Sequence, residues 1–349
     1  MSQTTCRITI LVPCRNEREN VRVLHERVVR AMAGAGDGEK ARLPMAGAVG
    51  EGTEGERSRE MGEGGGERVV AALTWELWFI DNASADGTQE ELRALAAAES
   101  RVKVILNQRN FGHVRSPFHG LLQAPGDAVI VLAADLQDPP ELIPEFIGKW
   151  REGYPVVMGQ KVNSEESWLF FTLRRAYYKV VKRLADVELI ENATGFGLYD
   201  RKVIEALRAL DDPYPYVRGL VCELGFPVAR VPYEQPKRKR GITKNNFYTL
   251  YDVAMLGITS HSKVPLRLAT MLGFAASAGS FLVGLAYLIY KLVFWERFAL
   301  GMAPVVIGLF FFASVQLFFI GILGEYLGSI HTKVTKRPLV VEKERINWG

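Results

Sequence analysis

The chain has 349 residues, more than one ordinary domain holds, and its length suggests two or so folded units. A net charge of +4 and a pI near 8.8 are too mild to argue for nucleic acid. Cys6, Cys14 and Cys222 are few, scattered and odd in number, which fits a reducing compartment and offers no metal-binding spacing.

In chain order, Ile8 to Val12 reads as a buried strand that ends at Pro13-Cys-Arg15-Asn16-Glu17, and a charged helix follows from about Asn20 to Met32. The segment 34–67 is rich in Gly, Glu, Arg and Ala and has no hydrophobic period. It is expected to be a disordered surface insertion, because it cannot bury enough apolar area to offset its ordering entropy. Trp75 to Ile80 resumes as a strand that ends at Asp81-Asn82-Ala-Ser84-Ala-Asp86-Gly87-Thr88, with a helix from about Gln89 to Glu99 whose Leu92 and Leu95 face inward. Val102 to Leu106 is a third strand, then Arg109-Asn110-Phe111-Gly112 opens a helix to about Gln123. Ala128 to Ala134 is a short apolar run of the kind buried on both faces, and it stops at Asp135-Leu-Gln137-Asp138-Pro139-Pro140. Strand and helix alternating at this spacing predict a parallel sheet covered on both sides. The polar cluster after each strand should then reach one common edge, where open α/β sheets bind ligands.

Further on, Pro140 to Trp150 reads as a helix and Val156 to Gly159 as a short strand. Trp168 to Leu184 is a long basic amphipathic stretch, Glu191 to Arg201 a turn entering a strand, and a helix then runs to about Leu210. Val228 to Val231 is a last strand before the basic run Lys237-Arg-Lys-Arg240-Gly-Ile-Thr-Lys244. Residues 241–264 mix aromatic and polar side chains, as interfacial segments do. Leu268 to Tyr290 and Met302 to Leu323 contain no Asp, Glu, Lys or Arg, and each is about the length that crosses a bilayer as a helix. The slight excess of Lys and Arg on the outer flanks favours both termini in the cytoplasm, and no secretory signal is expected because no apolar stretch opens the chain.

Taken together and in order, Pro13-Cys-Arg-Asn16-Glu17, Asp81-Asn-Ala-Ser84-Ala-Asp86-Gly-Thr88, Asn110-Phe-Gly112 and Asp135-Leu-Gln137-Asp138-Pro-Pro resemble the family 2 glycosyltransferases of the GT-A fold. The resemblance is to the polyprenyl-phosphate branch, that of dolichol-phosphate mannosyltransferase and the bacterial polyprenyl-phosphate glycosyltransferases. It covers nearly the whole chain outside 34–67. It implies a Rossmann-like, mainly parallel α/β domain over residues 1–240, interface helices, two transmembrane helices within 265–328 and a cytoplasmic tail over 329–349.

The resemblance also implies roles. Pro13, Arg15, Glu17, Asp81 and Asn82 would hold the nucleotide-sugar, with Asn82 standing where the family often has a second acid. The family's Asp-x-Asp motif has Ala133 at its first position here, so a site for Mg²⁺ or Mn²⁺ would rest on Asp135, the Gln137 amide oxygen and the substrate diphosphate. Asp138 is expected to cap the helix that begins near Pro139. Arg218, Arg240 and Lys244, and less securely Lys161 and Arg175, match basic positions that meet donor and acceptor phosphates; Asp135 and Arg218 are the catalytic candidates. Gly195 replaces an acid that some relatives carry, Glu191 is only a candidate, and no general base is assigned, because a phosphate monoester is already anionic near neutral pH. The expectation is therefore an inverting glycosyltransferase in the membrane, its catalytic domain cytoplasmic, that moves a sugar from a UDP- or GDP-linked donor to a polyprenyl phosphate of undecaprenyl or dolichyl type. The lipid bilayer is a partner, nucleic acid is not, and a homo-oligomer is left open. Rival readings are a processive polysaccharide synthase, whose Gln-x-x-Arg-Trp motif is absent, and a non-catalytic membrane scaffold, which Ala133 would favour.

Overall fold

The computed structural model describes residues 6–36, 41–43, 68–70, 73–162, 193–213, 215–236, 264–293, 302–335 and 337–348. The chain divides into two units, residues 1–166, 190–243 and 337–349 in the first, and 167–189 and 244–336 in the second. Most of 34–67, the amphipathic stretch 168–184 and the basic run 237–244 lie outside the described residues.

The first unit is built on β1 (Cys6–Cys14), β4 (Leu73–Asp81), β5 (Val102–Asn107), β6 (Ala128–Val131), β7 (Val156–Lys161), β8 (Ala193–Asp200), β9 (Val228–Tyr233) and β10 (Glu342–Ile346). They form one sheet in the order β10-β5-β4-β1-β6-β8-β7-β9, while β2 (Ala41–Leu43) and β3 (Arg68–Val70) make a separate antiparallel pair. Strands β5, β4, β1 and β6 are parallel neighbours. Strand β8 runs against both β6 and β7, so β7 and its parallel neighbour β9 run with β6. This is the mainly parallel α/β architecture the sequence predicts.

Strand alternation sorts the core into two faces. Ile8, Ile10 and Val12 of β1 with Leu77 and Phe79 of β4 meet α1 (Arg18–Gly36), α2 (Thr88–Ala98) and α4 (Ile143–Arg151) through Leu24, Leu92 and Phe146. Leu11, Trp78 and Ile80 face the other way, toward α3 (Gly112–Gln123), α5 (Arg201–Ala209) and α6 (Val217–Glu223), through Phe118, Ile204 and Leu220. Helix α3 comes so near β1 that a Cβ on Gly120 would stand 2.8 Å from the end of the Leu11 side chain, which would have to shift to admit it.

Several expected elements differ. Strand β6 stops at Val131 rather than Ala134: Leu132 makes one more bond, N–H to the Leu11 carbonyl at 3.1 Å, and the backbone then turns, although Leu132 and Ala134 stay buried. The single helix expected from Pro140 is a 3-10 turn, Pro140–Leu142, followed by α4, because closely spaced prolines remove backbone donors. Helix α6 was not foreseen, nor was β10, which lies antiparallel along β5 where a tail was expected.

In the second unit, α7 (Val264–Val293) and α8 (Met302–Val334) contain Leu268–Ala286 and Phe311–Val334, each long and apolar enough to cross a membrane by length and composition. Helix α8 continues past the expected end at Leu323 to Val334, taking in Glu325 and His331.

Candidate active site

From β1 the chain proceeds outward to β4 and β5, then returns to the other side of β1 as β6. The topological switch point is thus between β1 and β6, the position at which doubly wound sheets open a crevice for ligands. Three loops meet around it, the ones that follow β4, β1 and β6. Each holds one non-glycine residue in the left-handed region: Ala83 and Asn16 at φ 56° and Leu136 at φ 61°. Such conformations cost of order 1 kcal/mol each and persist where surrounding bonds over-determine them.

Those bonds are present. The Asn16 N–H donates to Ser84 Oγ at 2.8 Å, and the Ala85 N–H donates back to Asn16 Oδ1 at 3.0 Å. The Glu17 N–H donates to Thr88 Oγ1 at 3.0 Å and the Arg18 N–H to Asp86. The loops after β1 and β4 are therefore zipped together. Burial works to raise the Asp86 carboxyl, but the Thr88 hydroxyl and N–H and the Arg18 N–H hold it below its ordinary range. Cys14, at the end of β1, is pushed well above the usual thiol range by burial and by the Asp81 carboxylate, and its thiol donates to the Ile80 carbonyl. It is a packing residue rather than a nucleophile.

Asp81 is fully buried and accepts from the Ser84 N–H at 3.0 Å, the Ser84 hydroxyl and the Gln89 amide at 2.7 Å. Its turn chemistry is thus real, and it fixes the loop whatever else it meets. Glu17 is nearly as buried and accepts from the Asn20 amide at 2.5 Å; Pro13 is half-buried and Arg15 exposed beside it. Asn82 uses both ends of its amide. Its Nδ2 donates to Asn110 Oδ1 at 2.8 Å and to the Gly112 carbonyl at 3.0 Å, and its Oδ1 accepts from the Phe111 N–H at 2.8 Å. An acid here would lose both donated bonds and turn a carboxylate toward two acceptors. Asn82→Asp is accordingly expected to lower stability by about 2–3 kcal/mol, read as a fall in unfolding midpoint; an unchanged midpoint would show that the amide does not hold the Asn110–Gly112 loop.

After β6, Asp135 is half-buried and its Oδ1 accepts from the Gln137 N–H at 3.2 Å. Gln137 donates its amide hydrogen to the Pro236 carbonyl at 3.4 Å, which leaves its oxygen as an acceptor. Asp138 corrects the sequence expectation: no side chain caps the 3-10 turn or α4, and Asp138 reaches back instead. Its Oδ2 accepts from the Ala133 N–H at 2.9 Å and its Oδ1 from the Tyr233 hydroxyl at 3.1 Å. The reason is burial, since a carboxylate 7% exposed must find its donors inside the protein.

Burial also raises the Asp138 pKa to about 6, against the pull of the Ala133 N–H. The proton is then bound more tightly in the folded than in the unfolded chain. The associated stability is fully present below the ordinary carboxyl value near 4 and is lost as pH rises through about 6. An apparent melting temperature that falls between pH 4.5 and 7, with a flatter profile for Asp138→Asn, is the expected result, the full difference being on the order of 3 kcal/mol.

Pro13 and Asp81 thus lie in the last residues of β1 and β4, and Arg15, Glu17, Asn82, Asp135 and Gln137 in the chain that follows β1, β4 and β6. Lys161 ends β7 on the same edge, in register with Tyr233. Arg218 is on α6, 5.4 Å from the Tyr216 ring and close enough to act electrostatically on the buried Tyr199 phenol. Arg175, Glu191, Arg240 and Lys244 lie outside the described residues. Tyr233 was missed in the sequence because Val-Ala-Arg-Val-Pro-Tyr alternates as an ordinary half-buried strand, and the tyrosine reads there as core.

Residues 67–208 match the family described as Glycosyl transferase family 2. The chain is 34% identical over 281 residues to an uncharacterized glycosyltransferase of Synechocystis sp., covering 79% of this chain and 86% of that one. It is 35% identical over 269 residues to a bactoprenol glucosyl transferase of Shigella phage SfV, covering 77% and 87%. Among solved structures, glucosyl-3-phosphoglycerate synthase from Mycobacterium tuberculosis in complex with Mn²⁺, uridine diphosphate and glucosyl-3-phosphoglycerate aligns over 73% of this chain and 78% of that one at 15% identity and a TM-score of 0.41, a likeness too loose to bear on ligands. With relatives this similar over most of their length, the chain belongs to glycosyl transferase family 2 and is a glycosyltransferase.

Proposed function

We propose that this glycosyltransferase moves one sugar from a nucleotide-sugar to the phosphate of a polyprenyl carrier at a membrane surface, with inversion at the anomeric carbon. The observation that carries the reading is the meeting of the loops after β4, β1 and β6 at the switch point. The bactoprenol glucosyl transferases similar to this chain point to a polyprenyl acceptor, and the two long apolar helices supply the setting such a lipid needs. The catalytic unit and both termini are assigned to the cytoplasmic side from the flanking charges.

In this reading Pro13, Arg15, Glu17, Asp81 and Asn82 form the nucleoside end of the donor site. Asp135 and Gln137 offer hard oxygen donors, which suit Mg²⁺ or Mn²⁺. Among the described residues no three His, Cys, Asp or Glu side chains gather as a metal cluster, and in this reading the donor diphosphate would supply the further oxygen ligands. The residues fit an ion on that condition. When bound, the metal neutralises charge developing on the departing diphosphate.

Lys161 and Arg218 are the described candidates for binding the phosphate groups, and Arg175, Arg240 and Lys244 are candidates from sequence alone; bringing the two phosphates close together is a positioning role that can supply much of the rate. The acceptor phosphate oxygen attacks the anomeric carbon opposite the diphosphate. A new carbon–oxygen bond forms as the old one breaks, and the nucleoside diphosphate leaves with the electron pair. No proton has to be removed, because the attacking oxygen is already ionised. The test is detergent-solubilised protein with polyprenyl phosphate, Mg²⁺ or Mn²⁺ and a panel of radiolabelled UDP- and GDP-sugars. A lipid-linked monosaccharide is expected with one of them, and none with any donor would end the proposal.

A further inference from the structure

The turn from Ala133 to Asp138 is held from two sides. Across its base, the Ala133 N–H donates to Asp138 Oδ2 at 2.9 Å; within it, the Gln137 N–H donates to Asp135 Oδ1 at 3.2 Å. Between these bonds Leu136 stays at φ 61°, a conformation a leucine does not adopt unaided. Outside the turn, β9 and the residues just after it touch it twice, through the Tyr233 hydroxyl on Asp138 Oδ1 at 3.1 Å and through the Pro236 carbonyl, which accepts from the Gln137 amide at 3.4 Å. Tyr233 and Asp138 are 6% and 7% exposed, and the Tyr233 ring is fixed edge-on to Phe196 at 5.8 Å. A buried carboxylate that caps no helix and, among the described residues, meets no cation requires a reason to be there.

We propose that Asp138 and Tyr233 are positioning residues which brace the turn so that Asp135 and Gln137 present their oxygens together to the divalent ion. This rests on the metal role given to Asp135 and Gln137 above. The brace acts through the backbone: Asp138 closes the loop on Ala133, and the Tyr233 hydroxyl keeps the Asp138 carboxylate turned inward. It also makes β9, the strand that leads directly into the basic run at Lys237, a supporting wall of the donor site.

The experiment uses the full-length, detergent-solubilised protein with Mn²⁺ as the probe. Bound Mn²⁺ is followed by loss of the free-ion spin-resonance signal in the presence of UDP, and of GDP in parallel, and nucleotide binding without metal is followed by calorimetry. Tyr233→Phe keeps the ring and removes only the hydroxyl; it is expected to weaken nucleotide-linked Mn²⁺ binding about tenfold, the loss usual when a partner that orients a metal ligand is removed. Metal-free nucleotide binding should stay within about twofold, since that end of the site is untouched. Asp138→Ala should lose at least as much. Asp138→Asn should recover most of it, because the amide oxygen can accept from Ala133 while its N–H donates to the tyrosine oxygen. If Asp138→Ala does not fold, Tyr233→Phe and Asp138→Asn still decide the matter. Wild-type Mn²⁺ affinity in Tyr233→Phe would overturn the brace, as would equal losses of metal-linked and metal-free binding. If the wild-type protein takes up no Mn²⁺ with either nucleotide, the metal role of Asp135 and Gln137 fails, and the brace with it.

Discussion

Asp135→Asn is expected to lower the rate of sugar transfer by about 10²- to 10³-fold with little change in thermal stability. The asparagine oxygen can still accept from the Gln137 N–H, so the turn keeps its inner bond, and the half-buried side chain leaves no cavity. What disappears is the negative charge. With Ala133 at the other acidic position of the motif, no neighbouring carboxylate in the turn replaces it except Asp138, whose two oxygens are engaged with Ala133 and Tyr233. A family member with two acids there would have a reserve; this chain does not. Turnover measured with the preferred donor across a range of Mn²⁺ or Mg²⁺ concentrations is the check. Near-normal turnover at low metal would remove Asp135 from the metal site.

The second large effect concerns stability. Truncation before Glu342 is expected to destabilise the first unit by several kcal/mol and to promote self-association. Strand β10 covers β5, which would otherwise end the sheet with a row of unpaired backbone groups. Trp348 meets Trp78 edge-on at 4.3 Å and donates its indole N–H to the Val104 carbonyl, and Asn347 donates to the carbonyls of Ala96 and Val102. The charged contacts count for less. The bidentate Arg93–Glu344 pair is largely solvent-exposed and adds little. His119 and Glu342, 2.6 Å apart, are better shielded, and Arg345 first, then His119, hold the Glu342 carboxyl below its ordinary value. Apolar packing and paired backbone decide the outcome, so Trp348→Ala alone should cost about 2–3 kcal/mol, less than the roughly 3–5 kcal/mol usual for a buried large aromatic because the ring is only half-buried. Chemical denaturation and size-exclusion chromatography of the truncated chain are the measurements. A midpoint equal to that of the full chain, with no association, would show that β10 does not support the sheet.

How much of this could be read from residues alone follows from physical range. Strands β1, β4 and β5 are legible because apolar runs buried on both faces have few other uses, and their polar ends mark where each strand stops. The periods of α1 and α2 and the long apolar stretches in α7 and α8 are likewise local properties. The order of motifs that led to Asp81, Asp135 and Gln137 is written along the chain, and so is the missing acid at Ala133. What the tertiary structure decided depends on partners far away in sequence. Glu-Lys-Glu-Arg-Ile shows no apolar alternation and reads as tail; it becomes β10 because the edge of β5 and the Trp78 ring supply what the segment lacks. In sequence Asn82 shows only its place in the nucleotide-site motif; that both ends of its amide also hold the loop at Asn110–Gly112 depends on a segment about 30 residues further on. Asp138, beside two prolines, has every local mark of a helix cap. Its carboxylate turns away because Ala133 and Tyr233, the latter 95 residues further on, offer donors inside the protein where water cannot.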